Sequence, residues 1–241
     1  MEDVIKVTQL SKSYGSQKAV SELELSVKKG TVFGLLGANG AGKSTAIECI
    51  LGTKKADQGQ VLILGLNPVR DRKSLFQKIG VQFQENCYQT EILVSELCEE
   101  TACLYQSPAD WKSLCSEFGL SGKYKSPVKN LSGGERQKLF IVMALIPNPQ
   151  VVFLDELTTG LDAKARRDVW KILSELKRRG LTIFLTSHFM DEVEALCDQI
   201  CILKEGRAVF YGTVGQAKQF SGCEDFEEAY LALSGEEDEI G

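Results

Sequence analysis

The sequence has few residues of the kinds that build metal or disulfide frameworks. It contains a single histidine, His188, and no pair of cysteines at the C-x-x-C spacing that holds zinc. Eight cysteines are present, but a chain of 241 residues with no visible secretory signal has no need of disulfides. We therefore expect free thiols that are packed as small hydrophobic side chains.

The sequence also lacks a membrane-spanning segment and an excess of basic residues. Its longest apolar run, residues 139–146, stops at Pro147, whereas a spanning helix needs about 20 residues. With 28 Lys and Arg against 33 Asp and Glu, the formal net charge is −5, which excludes a nucleic-acid footprint carried by bulk charge. The acidic start, Met1-Glu2-Asp3, leads into no apolar signal region. We expect a cytoplasmic protein that binds no nucleic acid and reaches a membrane only through a partner.

Hydrophobic periodicity changes repeatedly along the chain and predicts an α/β fold. Strands that alternate with helices predict a parallel sheet covered by helices, and the last two strands, joined at Glu205-Gly206, predict a hairpin. Residues 94–118 have helical spacing that Pro108 interrupts, which predicts a helical insert. The predicted strands are residues 4–9, 20–27, 31–36, 61–64, 79–84, 151–154, 181–186, 199–203 and 207–211, and the predicted helices include residues 43–51 and 163–179.

A glycine-rich segment between a predicted strand and a predicted helix carries the strongest motif. Gly37-Ala38-Asn39-Gly40-Ala41-Gly42-Lys43-Ser44 matches G-x-x-x-x-G-K-[ST]. In such a loop the backbone N–H groups surround phosphate oxygens, the lysine reaches the outer phosphates and the serine hydroxyl binds Mg²⁺. A chance glycine-rich turn is the alternative, and the flanking strand and helix disfavour it. The predicted nucleotide-binding residues in this segment are Gly37, Asn39, Gly40, Ala41, Gly42, Lys43, Ser44 and Thr45.

Two adjacent carboxylates follow the apolar strand predicted at residues 151–154. In P-loop nucleotide hydrolases one acid at this place holds Mg²⁺, and we assign that role to Asp155. Glu156 would then polarise the attacking water as a general base. A helix N-cap or a solvated turn would be the default interpretation of such a pair in a chain without a phosphate loop. The loop at Gly37 makes the catalytic interpretation the favoured one.

A serine and two glycines at the start of another helical run repeat the anion-binding pattern. In Leu131-Ser132-Gly133-Gly134-Glu135 a hydroxyl and bare N–H groups can face a phosphate, although an ordinary N-capped helix is the alternative. This segment is the signature sequence of ABC-type ATPases, and the chain resembles the ATP-binding proteins of ABC transporters over residues 1–223. The short tail at residues 225–235 is most similar to that of bacterial ABC-2 type export ATPases.

The resemblance assigns roles to several further residues, each at the place that the family requires. Tyr14 matches the aromatic that stacks on adenine, although an edge-strand tyrosine is the alternative. Gln84 resembles the glutamine that senses Mg²⁺, with Gln82 as a second candidate, and Asp162 ends a T-G-L-D sequence that lines the dimer interface. His188 matches the histidine that contacts the γ-phosphate, and it follows a predicted parallel strand at the sheet edge where ligands bind. The resulting catalytic set is Glu156, His188 and Gln84, the metal set is Ser44, Gln84 and Asp155, and the cofactors are ATP and Mg²⁺.

The resemblance also implies an architecture and partners. The fold would be an α/β P-loop NTPase core of mostly parallel sheet with helices, an N-terminal antiparallel β subdomain and a helical signature-motif subdomain at about residues 86–146. Residues 1–223 would form the ATPase domain, and residues 224–241 a short helix with an acidic, disordered tail. Two such chains, identical or sister subunits, would hold two ATP molecules between the Gly37 loop of one and the signature segment of the other. A separate transmembrane subunit, docked near residues 86–106, would export a drug, peptide or lipid.

The sequence departs from the family pattern at two places, and it leaves rival functions to compare. Leu157 stands where a proline is usual, and Val142-Met143 replaces a common Ala-Arg pair, which affects loop stiffness and coupling rather than groups that touch nucleotide. An importer ATPase, or a soluble ABC ATPase acting on translation or DNA repair, remains an alternative. The chain has one phosphate loop, no internal repeat and no sustained heptads, all of which favour the transporter. A GTPase is disfavoured because no N-K-x-D motif is present.

Overall fold

The structure is a computed structural model that describes residues 2–83, 88–156 and 158–235. Within these ranges the strands are β1 (Asp3–Tyr14), β2 (Gln17–Lys28), β3 (Val32–Leu36), β4 (Gln58–Ile63), β5 (Ile79–Gln82), β6 (Val151–Asp155), β7 (Thr182–Thr186), β8 (Gln199–Lys204) and β9 (Arg207–Gly212). The α-helices are α1 (Lys43–Ile50), α2 (Arg72–Leu75), α3 (Val94–Cys103), α4 (Trp111–Glu117), α5 (Gly133–Leu145), α6 (Ala163–Arg178), α7 (Met190–Leu196), α8 (Val214–Ser221) and α9 (Phe226–Ser234).

The strands form two sheets. One is antiparallel in the order β2-β1-β4, and the other has the order β5-β6-β7-β3-β8-β9, in which only the β8–β9 pair is antiparallel. Strands β3, β6 and β7 are buried along their whole length, as expected for parallel strands with both faces covered. Their phenylalanines form a row across the sheet, with the Phe33 and Phe153 rings 5.2 and 5.3 Å from the ring of Phe184. The α/β P-loop architecture predicted from the sequence is confirmed.

The helices between β5 and β6 have a hydrophobic core that continues into the large sheet. Cys98 of α3, Cys115 of α4 and Leu139 of α5 are all fully buried in it, together with Val152 of β6. The helical insert expected around Pro108 is therefore present as α3 and α4, with a break at residues 104–110. The predicted start of the helical subdomain, at about residue 86, falls in residues 84–87, which lie outside the described residues.

The phosphate loop is fixed between the two sheets. The Gly206 N–H of the β8–β9 turn donates to Ala41 O at 2.9 Å, and the Ser21 N–H of β2 donates to Gly206 O at 2.8 Å. This chain of bonds connects the antiparallel sheet to the loop through the hairpin. These bonds fix the expected base-binding part of the site relative to the expected phosphate-binding part.

Several boundaries differ from the sequence predictions. Strand β1 runs on to Tyr14 instead of ending at Gln9, and β5 ends at Gln82 instead of residue 84. The seven described cysteines are free, as predicted, but Cys103 is exposed, contrary to the expectation that the thiols are packed in the core. No α-helix in the described ranges has the length and apolar character that crossing a bilayer requires.

Candidate active site

Glycine is required in the phosphate loop for both conformation and space. Gly37, Gly40 and Gly42 have φ values of +149°, +82° and +104°, in the region that favours glycine. A Cβ atom at Gly37 would lie 2.5 Å from Leu203 O, and one at Gly42 would lie 2.2 Å from Ala19 O. The loop backbone therefore approaches its neighbours more closely than any side chain would permit.

Lys43 is held inside the curve of this loop. It is the first residue of α1 and is 6% exposed, and its Nζ donates to Gly37 O at 2.6 Å and to Ala38 O at 3.0 Å. The ammonium charge is thus fixed at the N-terminal end of a helix, where the helix dipole adds further positive potential. Such a place suits the outer phosphates of a nucleotide.

A cleft of about 530 Å³ lies in front of the loop. It brings together residues that the sequence predicted separately, from β1, the loop, the end of β6 and the segment after β7. The predicted site residues that line it are Tyr14, Asn39, Gly40, Gly42, Lys43, Ser44, Thr45, Glu156 and His188. Gln17 and Ala19 line it as well, and sequence reasoning missed them because neither belongs to a motif.

Tyr14 ends β1 at the rim of the cleft. Its ring is 46% exposed, with Lys12 Nζ and Lys54 Nζ at 5.6 and 5.3 Å from the ring centroid. Asp57 and Glu48 in turn bind these two ammonium groups, at 2.8 and 2.6 Å. The aromatic face is therefore positioned by its neighbours and accessible to a planar ligand.

A threonine that the sequence did not single out joins β7 to the end of β6, where both carboxylates lie. The Thr186 hydroxyl donates to Asp155 Oδ1 at 2.6 Å and accepts the Glu156 N–H at 2.9 Å. The available signal was its place at the end of β7, because Asp155 and Thr186 are register partners in the parallel sheet. Thr186 thus fixes the orientation of one acid and the backbone of the other.

Burial changes the acid chemistry of Asp155. The residue is 8% exposed, and this burial raises the pKa of its carboxyl, with the neighbouring Glu156 charge acting in the same direction. The hydrogen bond from Thr186 and the charge of Lys43 act in the opposite direction. A nearby cation would stabilise the ionised form of this buried carboxylate, which fits a metal-binding role.

Glu156 and His188 are in direct contact in the cleft. Glu156 Oε1 and His188 Nε2 lie 2.5 Å apart, within hydrogen-bond distance. Glu156 has φ +49°, an uncommon left-handed conformation for a residue with a side chain. Its backbone bond to Thr186 and its side-chain bond to His188 hold that conformation.

The signature segment and Asp162 lie outside this cleft. Ser132 caps α5 in a capping box with Glu135, in which the Glu135 N–H donates to Ser132 Oγ at 3.2 Å and the Ser132 N–H donates to Glu135 Oε2 at 2.9 Å. Asp162 caps α6 by accepting the Ala165 N–H at 2.8 Å. The described cleft lining includes none of Ser132, Gly133, Gly134 and Asp162, so one chain does not bring them to the phosphate loop.

The two glutamine candidates are placed differently. Gln84 lies outside the described residues, and so does Leu157, the predicted departure after Glu156. Gln82 is 3% exposed on β5, and its Nε2 donates to Phe83 O at 2.6 Å. Because Gln82 is buried and does not line the cleft, the structure gives no support to it as the substitute.

Comparison with known proteins decides the family. The family model described as ABC transporter matches residues 20–159. The chain belongs to the ABC transporter family. It is an ATPase of that family.

Relatives and solved structures agree with this membership. Nod factor export ATP-binding protein I of Rhizobium etli is 40% identical over 230 residues, covering 92% of this chain and 72% of the relative. The protein of that name from Mesorhizobium japonicum is 42% identical over 209 residues, covering 84% of this chain and 61% of the relative. A solved ATP-binding subunit of an ABC transporter superposes with a TM-score of 0.87 at 27% identity, covering 96% and 99% of the two chains. A dimeric ATP-binding cassette with ADP and phosphate shares the fold, with a TM-score of 0.77 at 24% identity over 87% and 98% of the two chains.

Proposed function

We propose that this chain binds ATP with Mg²⁺ in the cleft and hydrolyses it with Glu156 as the general base. The observation that carries the proposal is that Lys43 lines the same cleft as the bonded pair Glu156 and His188. The lysine and the loop N–H groups bind phosphates, and the carboxylate accepts a proton from the attacking water. The His188 bond orients that carboxylate, and Tyr14 stacks on the base.

Mg²⁺ suits the donors present near the loop. The described residues contain no cluster of three or more His, Cys, Asp or Glu side chains that could hold a metal alone. Mg²⁺ is commonly bound by one or two protein oxygens together with substrate phosphates and water. We assign those oxygens to Ser44 and Asp155, with Gln84 as a further ligand on sequence grounds. When bound, the ion would neutralise charge on the phosphates.

The signature segment completes the site of a second chain in this proposal. Ser132, Gly133 and Gly134 stand at the start of α5, a helix of 13 residues, with their phosphate-binding groups outside the cleft of their own chain. Asp162 occupies the corresponding place at the start of α6. A dimer of two identical or sister chains would place these groups against the partner's Lys43, so that each ATP contacts both chains.

The partner that uses the hydrolysis is proposed to be a transmembrane export subunit. The two relatives described above are named export ATP-binding proteins, and this chain spans 72% and 61% of their lengths. We propose residues 1–223 as the ATPase domain and the insert around residues 86–106 as the docking region, where Leu104 is 73% exposed. The chain would then lie at the inner face of the membrane, and the cargo would be a drug, peptide or lipid.

Mixing two defective variants tests the shared site. Lys43→Ala and Ser132→Arg should each abolish the ATP-held dimer, whereas a mixed dimer has one site with both lesions and one intact site. With Glu156→Gln on both chains to block turnover, the mixture should trap about one labelled ATP per mixed dimer. Ser121→Arg, an exposed change in the same helical region, is the matched control and should trap ATP normally.

Two outcomes would contradict the proposal. If the mixture traps no more ATP than either variant alone, although crosslinking shows mixed dimers, the shared site is wrong. The second outcome concerns the partner that purifies with the chain. If that partner is the ribosome or DNA and no polytopic membrane subunit is found, the transport role is wrong.

A further inference from the structure

A buried carboxylate lies behind the histidine of the active site. Glu192 of α7 is 3% exposed and accepts two hydrogen bonds from other segments. Trp170 of α6 donates its indole N–H to Oε1 at 2.9 Å, and the Ser187 hydroxyl donates to Oε2. A buried ionisable group is costly unless its polar atoms are bonded, so these contacts hold Glu192 in one position.

The Ser187 hydroxyl that binds Glu192 connects the residues on either side of His188. Ser187 Oγ also accepts the Phe189 N–H, at 3.0 Å, so one hydroxyl ties the residue before the histidine to the residue after it. The Arg166 guanidinium stacks on the Phe189 ring, 4.3 Å from its centroid. The backbone that carries His188 is therefore fixed against α6 and α7, and Glu192 is the acceptor on which this arrangement depends.

The same carboxylate faces the segment that follows Glu156. Thr158 is 1% exposed; burial raises the pKa of the Glu192 carboxyl, and the nearby hydroxyl and indole donors of Ser187, Trp170 and Thr158 act in the opposite direction. By geometry Thr158 Oγ1 makes no full hydrogen bond with any described residue. Glu192 thus contacts the His188 loop directly and lies next to the loop that carries its catalytic partner.

We propose that Glu192 is a positioning residue that sets the contact between His188 and Glu156. By binding Ser187, it holds the His188 loop in the position from which His188 contacts Glu156. The inference rests on the proposed catalytic roles of Glu156 and His188. A purely structural role, joining α6 to α7 through Trp170, is the competing explanation.

A double-variant comparison separates the two explanations. Glu192→Ala should lower kcat on the order of 10- to 100-fold, the size that a small misplacement of a catalytic group can cause, while KM for ATP changes less than about twofold. Glu192→Gln keeps the shape and an acceptor for Trp170, and should restore most of kcat. In a His188→Ala background, Glu192→Ala should lower kcat no further, because the group through which it acts is gone. Glu194→Ala is the matched control, since Glu194 lies on the exposed side of α7 and pairs with Lys218.

Hydrogen exchange supplies a readout that does not need turnover. Glu192→Ala should accelerate exchange of the Phe189 amide, which Ser187 Oγ no longer holds, whereas Glu194→Ala should not. If Glu192→Ala does not fold, Ser187→Ala, which removes the hydroxyl that joins Glu192 to the Phe189 N–H, takes its place in both measurements. The inference is overturned if exchange at Phe189 is unchanged, or if kcat falls by the same factor with and without His188. Failure of the proposed function would instead appear as a wild-type chain that binds no ATP or releases no phosphate.

Discussion

Glu156 Oε1 and His188 Nε2 lie 2.5 Å apart, just beyond the ends of two adjacent parallel strands. The register of β6 and β7 produces this contact, because Asp155 pairs with Thr186 and the chain continues from both into the cleft. Neither side chain needs a long reach to meet the other. The arrangement follows the general tendency of open α/β sheets to bind ligands at the carboxyl ends of their strands.

Glu156→Gln should retain ATP binding and lose most turnover. The amide keeps the shape of the side chain and removes the proton acceptor, a loss that typically costs about 10²- to 10⁴-fold in rate. Steady-state phosphate release and equilibrium ATP affinity measure the two effects separately. Glu228→Gln, an exposed change in α9, is the control. Unchanged turnover in Glu156→Gln would mean that the general base is another group.

Lys43→Ala should weaken ATP binding itself, unlike the change at Glu156. The ammonium group is lost from the phosphate side of the cleft, together with its bonds to Gly37 O and Ala38 O that hold the loop curved. Binding of a labelled ATP analogue at equilibrium measures the effect, and Lys18→Ala, an exposed change in β2, is the control. Wild-type affinity in Lys43→Ala would contradict the assignment of this loop.

Gly80→Ala should destabilise the packing of β5 against α5. A Cβ atom at Gly80 would lie 1.8 Å from Ala144 O, which is backbone and can move only with its helix. Overpacking of this kind costs about 1–3 kcal/mol of unfolding free energy, measurable by urea denaturation. Gly122→Ala meets no atom within 4 Å and should change the free energy by less than about 0.5 kcal/mol. Equal stability of the two variants would show that α5 shifts at no cost.

The sequence predicts best those parts whose function depends on the backbone alone. The Gly37 loop needs glycines and a following helix in a fixed order, so its pattern is readable without tertiary contacts. The predicted end of β1 was wrong for a physical reason. Gln9 has φ +47°, and the pairing with β2 shifts between Val7 and Leu10, so the alternation of apolar and polar residues is interrupted beyond residue 9.

Contacts between distant segments are what the sequence could not supply. The bond from Thr186 to Asp155 joins residues 31 positions apart, and the bond from Trp170 to Glu192 joins residues 22 positions apart. The first bond depends on the sheet register and the second on how two helices pack. Neither Thr186 nor Glu192 belongs to a local sequence motif. The roles of Thr186 and Glu192 therefore became visible only in the folded chain.

Cys103 should react with a thiol reagent in the folded protein, whereas Cys201 should react only after unfolding. Burial raises the pKa of the Cys201 thiol to about 12, which disfavours the reactive thiolate at pH 7. Cys201 is also fully buried in β8, whereas Cys103 is exposed at the end of α3. Alkylation followed by peptide mass spectrometry in a Cys87→Ser background measures both sites, and urea-unfolded protein provides the control in which both label. Rapid native labelling of Cys201 would mean that β8 opens easily, which its place between β3 and β9 argues against.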